Sequence, residues 1–217
     1  MKKHLLTLAC ILAAAAPLLR AEDVALMKIQ IAKGQPVAEV AFELYPAEAP
    51  ETVANFKKLA KKKFYDGLTF HRAFPHILVQ VGDPLSRKKD RSKVGTGGPG
   101  WTVQPEVRRK HAKGAVAMAR LPDKINPTRL SNGSQFFICL QPMPTYDGQY
   151  TVFGRVTRGM EALDAISLKS VDSNDNPIER IVIKSLRVLP GEKLPAPAAT
   201  PQPGAAPVKK PWWKLWG

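Results

Sequence analysis

The feature that most constrains this chain is its rhythm. Apolar and polar residues alternate in one short run after another, and only two stretches switch to helical spacing. VALMKIQIA (24–32) and VAEVAFEL (37–44) alternate around Lys33-Gly34-Gln35-Pro36 and predict a β-hairpin. Runs at 68–74 and 77–82, then AKGAVAMAR, SQFFICL, YTVFGRV and ERIVIKSLRVL, predict further short strands. APETVANFKKLAKKK instead sets Val53, Phe56, Leu59 and Ala60 on one helical face, with Pro50 and Glu51 at its start and lysines crowding its last turn. RGMEALDAISL predicts a second amphipathic helix. Many short strands with two helices argue for an antiparallel barrel or sandwich and against a parallel α/β sheet.

The 217 residues suggest one domain with appendages at both ends. Residues 1–21 combine a basic start (Lys2, Lys3), an apolar stretch from Leu5 to Ala16 and a small residue at Ala21, the layout of a secretory signal peptide. An uncleaved interfacial anchor is the alternative. Cys10 fits a lipidation site poorly, because Thr7 and Leu8 precede it and the apolar stretch runs on past it. Residues 22–190 form the predicted domain. From 191 to 217 Pro, Ala and Gly dominate, which predicts a disordered linker ending in VKKPWWKLWG. Without the leader, Cys139 is the one cysteine left, so no internal disulfide is expected and the core alone holds the domain.

The formal charge is +15, from lysines and arginines scattered through KKLAKKK, RKKDRSK, EVRRKHAKG and the tail. Neither zinc-finger spacing nor an aromatic-studded RNA motif accompanies them, so nucleic acid is not expected as a partner. Scattered lysines commonly mark a solvated face; anionic lipid is the functional alternative, through Trp212, Trp213, Trp216 and the lysines beside them. A monomer is the default expectation.

One stretch asks for an explanation. In FHRAFPHILVQVGD (70–83) an arginine and a glutamine interrupt an apolar run, and polar groups in apolar strands either find partners or do chemistry. Strand alternation puts Leu78 and Gln80 on one face, and Gln135 and Phe137 on one face of SQFFICL. From the strands alone, Arg72 and Gln80 also read as outward-pointing polar residues of a half-buried sheet.

FHRAFPHILVQVGD, GTGGPGW, AVAMAR, NGSQFFICL and DGQYTVFGRV stand in an order and spacing that resembles the cyclophilin family of peptidyl-prolyl isomerases, over about residues 24–188. The resemblance implies a closed eight-stranded antiparallel β-barrel with an α-helix capping each end. It implies that Arg72 is the catalytic arginine, that Gln80 and Gln135 bind substrate backbone, and that Phe137 walls the proline pocket. Met118 and Ala119 match groove positions, and His71 is expected as a structural histidine beside the site. The rest of the substrate-binding set is Ile77, Leu78, Arg120, Tyr146 and Tyr150. Rotating an X–Pro bond breaks no covalent bond, so no cofactor or metal is expected and proline-containing polypeptides are the partners.

Several groove positions depart from the family's pattern. Ile77 replaces a usual phenylalanine and Leu78 a common methionine, while Arg120 replaces an asparagine and is expected to add charge to the groove. LPDKINPTRLSNGSQF lengthens the loop after AMAR. Thr145 occupies the usual tryptophan position, with Tyr146 beside it and Tyr150 where histidine is frequent. Taken together, these readings predict an exported isomerase, in the periplasm or cell envelope. A binding module that holds proline segments without turning them over is the rival.

Overall fold

The computed structural model describes residues 23–196, so the leader and the Trp/Lys-rich end of the tail lie outside the described residues. Eight strands form one antiparallel sheet: β1 (Asp23–Gln30), β2 (Ala38–Leu44), β3 (Arg72–Phe74), β4 (Leu78–Val81), β5 (Ala115–Met118), β6 (Phe136–Cys139), β7 (Val152–Arg158) and β8 (Val182–Pro190). Their order across the sheet is β3-β4-β6-β5-β7-β2-β1-β8. Two helices complete the domain, α1 (Pro50–Lys61) and α2 (Met160–Ser167).

Register shifts at Lys28/Ile29, Ala41/Phe42 and Val116/Ala117 curl this sheet, because a bulge adds local twist and bends its strand. The curl encloses the main core. Met27 and Ile29 from β1, Phe42 and Leu44 from β2, Phe136 from β6 and Phe153 from β7 all point inward and are fully buried. The apolar face of α1 closes over them through Val53, Phe56 and Leu59. Phe56 is the hub: its ring lies 5.3–5.8 Å from those of Phe42, Tyr65, Phe136 and Phe153. The N-terminus of α1 is capped from a distance. Ala49 offers no capping side chain, so the Glu106 carboxylate accepts from the amides of Glu51 and Thr52 at 3.1 and 2.9 Å.

The expected closed barrel is corrected to an open, curled half-barrel. The ladder ends at β3 on one side and β8 on the other, and the seam is crossed only briefly, by the isolated bridge of Thr69 to Val182 and a bond from the Gly67 amide to the Ile183 carbonyl at 2.7 Å. The reason is local. The run at 68–74 does not stay strand: Thr69 turns its amide to the Ser86 hydroxyl at 3.0 Å, and only Arg72–Phe74 pairs with β4. The outer edge of that short strand is then occupied, since the Ala73 amide donates to the Asp175 carbonyl at 3.0 Å. An edge already satisfied by a loop cannot extend the ladder.

Because Phe56 touches four aromatic rings, Phe56→Ala should destabilise the domain by about 3–5 kcal/mol. Chemical denaturation with urea measures this; an unchanged midpoint would place the hub of the core elsewhere.

Candidate functional site

Strand alternation sorts β4, β5 and β6 into two faces. Val79, Val81, Val116, Met118, Phe136 and Ile138 enter the main core. Leu78, Ala115, Ala117, Phe137 and Cys139 point the other way and form a second apolar cluster with Met143 and Val152. Across the strands, Arg72 is paired with Gln80, Gln80 with Phe137, and Phe137 with Ala117. Cation, amide and aromatic ring therefore stand in one row on the outer face. The small side chain of Ala117 leaves room beside Phe137.

The amide of Gln135 fixes the polar end of this row. Its Oε1 accepts from Gln80 Nε2 at 2.8 Å and from His71 Nε2 at 3.1 Å. Its Nε2 donates to the carbonyls of Gly95 and Gly97 at 3.0 and 2.7 Å. Gln135 thus spends its side-chain hydrogen-bonding capacity inside the protein, while Gln80 keeps its Oε1 without a partner among the described residues. Asp83 anchors the same loop, accepting from the amides of Gly95 and Gly97. His71 is buried, and burial pushes its pKa down to about 4, against smaller opposing contributions from Asp83 and Gln135. It is neutral at pH 7, with its proton on Nε2 facing the Gln135 oxygen.

Aromatic rings build the apolar end. Tyr146 and Tyr150 meet Phe137 edge-on at 5.8 and 5.6 Å, and His111 stacks behind it at 6.0 Å, nearly parallel. The His111 ring is held from below, its Nδ1 and its own amide both lying within 3.0 Å of Asp147 Oδ1. Burial lowers the His111 pKa, partly offset by Asp147. Cys139 lies in the same cluster, and burial pushes its thiol up to about 12.

The lengthened loop supplies the far wall. A groove of about 570 Å³ runs from Arg72, Leu78 and Gln80 past Phe137 to Leu121, Pro122 and Ile125. Arg120 holds this wall in place instead of charging the groove as expected. Its side chain is only 4% exposed, its guanidinium pairs with Asp123 at 2.5 Å, donates to the Gln149 and Leu121 carbonyls, and lies 4.7 Å over the Tyr150 ring. Asp123 also binds Arg129 at 2.6 Å, so the loop is cross-linked by a carboxylate between two cations. Arg72 keeps a freer charge. Its guanidinium sits 5.0 Å over Phe74 and 3.8 Å from Asp175, with nearly half the side chain exposed.

Of the residues singled out from sequence, Arg72, Leu78, Gln80, Ala119, Arg120, Gln135, Phe137, Tyr146 and Tyr150 line this groove. Three do not. Met118 is in the main core opposite Phe136, as the alternation of β5 requires. Ile77 sits on the β3–β4 turn after His76 (φ 57°), 39% exposed and outside the groove lining. His71 lies behind the lining, acting through Gln135. Sequence reasoning missed His111, which in EVRRKHAKG reads as part of a charge run. Its signal is a pairing with Asp147, 36 residues away. Asn132 was also missed; its Oδ1 accepts from the Gln135 backbone N–H and its Nδ2 donates to the Gly97 carbonyl.

The neutral, buried histidines set a pH dependence. His71 has a folded pKa below its ordinary value of about 6.5, so the unfolded chain binds the proton more readily. Its stability contribution is complete above about pH 6.5 and is lost as pH falls towards about 4. Urea midpoints of wild type should decline across that window. In His71→Gln the slope should be shallower but not flat, because His111 titrates in the same direction. Equal slopes would show that His71 is not held neutral.

Comparisons with known proteins agree with this geometry. The family model for cyclophilin type peptidyl-prolyl cis-trans isomerase matches residues 26–188. Peptidyl-prolyl cis-trans isomerase B of Bacillus subtilis is 46% identical over 126 residues, 57% of this chain and 79% of that protein. A cyclophilin type isomerase of Cryptosporidium parvum has a similar structure, with a TM-score of 0.66 at 26% identity over 78% of this chain and 98% of that one. A second structure of that protein, in the presence of the dipeptide Ala-Pro, matches with a TM-score of 0.64 at 26% identity, over 76% of this chain and 98% of that one.

Proposed function

The chain belongs to the cyclophilin type peptidyl-prolyl cis-trans isomerase family, and on that premise we propose that it accelerates X–Pro rotation by arginine-assisted stabilisation of the twisted amide, in proteins folding after export. The carrying observation is the row Arg72–Gln80–Phe137 across three paired strands. The barrier to rotation is about 18–20 kcal/mol, because the amide has partial double-bond character. In the twisted state the proline nitrogen becomes pyramidal and regains its lone pair. Arg72, whose guanidinium offers a planar set of donors, gives a hydrogen bond to that nitrogen. Phe137, Leu78 and the two tyrosines receive the proline ring, and the free Oε1 of Gln80 accepts from a substrate backbone amide. Gln135 acts here as a positioning residue for Gln80, because its own amide is already committed.

The Ala-Pro dipeptide in the Cryptosporidium structure supports proline-containing polypeptides as the ligand class. Residues 1–21 support export, with the periplasm or cell envelope as the site of action. Export suits the activity, since uncatalysed isomerisation takes tens to hundreds of seconds.

Arg72→Ala should leave the fold intact, because the side chain is half exposed and its one ion pair is long. It should lower kcat/KM on a proline tetrapeptide by about 10²-fold or more, the usual loss for one preorganised donor. Wild-type rates in the purified variant would refute the assignment. The Trp/Lys end supports a second proposal, a peripheral tether to anionic membrane. Truncation after Pro207 should weaken co-sedimentation with anionic vesicles and leave tetrapeptide isomerisation unchanged; equal sedimentation would end the tether reading.

A further inference from the structure

Away from the groove, α1 turns a row of lysines outward beside the start of β1 and the C-terminal half of β8. Asp23 opens β1 and pairs with Pro190, the last residue of β8; beyond it the chain runs on towards β7, where Arg158 donates to the Pro195 carbonyl at 2.8 Å. α1 packs on β8 at this corner. A broad concavity of about 1060 Å³ opens there, walled by Lys57, Lys58, Lys61, Lys62 and Arg187. Lys57 pairs with Asp23, and Arg187 with Asp66 at 2.8 Å. Lys58, Lys61 and Lys62 have no acidic partner among the described residues. An exposed tryptophan completes the corner. Lys58 Nζ lies 5.1 Å over the ring of Trp101, which is 42% exposed and donates its indole N–H to Asn55 at 2.8 Å.

We propose that this corner of the folded domain docks on an anionic lipid bilayer. Unneutralised lysines draw the surface to negative headgroups, and a half-exposed indole suits the boundary where one edge of a ring is buried and the other wet. The exposed Trp101 indole beside these lysines favours a membrane over another polyanion, because the amphipathic ring sits at headgroup level. Thr102, the neighbour of Trp101, lines the groove, so docking would also hold the groove rim close to the bilayer.

The test uses the full chain and vesicles of phosphatidylcholine with and without phosphatidylglycerol, read as the ratio of bound protein on the two. The triple variant Lys58→Glu, Lys61→Glu, Lys62→Glu should lose about tenfold or more of the anionic preference. Added salt should erode the preference of the parent chain and not that of the variant. Tetrapeptide isomerisation should be unchanged in the triple variant, which reports that it is folded. A Lys→Gln triple at the same positions avoids placing acids at a helix C-terminus and should show a smaller loss of the same sign. An unchanged anionic preference in both variants overturns the proposal, as does a parent chain that binds duplex DNA while ignoring the vesicles. The tail and isomerase readings fail separately: the first by the Pro207 truncation, the second by the tetrapeptide rate.

Discussion

One buried side-chain amide ties the groove together. Gln135 joins four segments that are remote in sequence: its own position just ahead of β6, Gln80 on β4, His71 ahead of β3, and the glycine loop at Gly95 and Gly97. Two donors and two acceptors are satisfied at once, which is what a buried amide requires to avoid a desolvation penalty of about 1–3 kcal/mol for each unpaired group. The consequence is geometric. Gln80 can present its oxygen to the groove only because its nitrogen is held, and the loop can approach only because glycine carbonyls lie open to Gln135. Gly82 shows how tight the approach is, since a Cβ there, at φ +105°, would sit 2.2 Å from the Ser134 carbonyl oxygen.

The sheet is buried on both faces over β4, β5 and β6, and this makes the site rigid. One face is the main core around Phe56; the other is the smaller cluster around Phe137. A side chain in the second cluster cannot move without disturbing strands that the first cluster holds. His111 and Asp147 extend this logic outward, bracing the back of the Phe137 ring. The loop at 121–130 is braced electrostatically instead, by Asp123 between Arg120 and Arg129. Exposed pairs of that kind contribute little alone, but the Arg120 partner is buried against Tyr150, where screening is weaker. Arg72 is left as the cation whose donors remain available to a ligand.

What the sequence determined by itself follows from period and residue chemistry. Alternation put Leu78 with Gln80 and Gln135 with Phe137, separated Phe136 and Ile138 into the core, and spaced the apolar face of α1. These are local rules, set by Cβ directions that any strand or helix obeys. The same rule placed Met118 inside with Phe136, so carrying it over as a groove residue ran against its own parity.

Tertiary structure decided the rest, because the deciding partners are distant in the chain. The sheet stays open because Asp175 takes the edge of β3, and no pattern within 68–74 announces that. Arg120 reads as a groove charge until Asp123 and the Tyr150 ring neutralise and cover it. Ile77 looks like its pocket neighbours, yet the turn at His76 leaves it outside the groove lining. His111 is a surface-like residue in a basic run until the fold sets it against Phe137. Sequence fixes which way a side chain points from its own backbone; what it then meets depends on chain closures whose energies are shared among many residues.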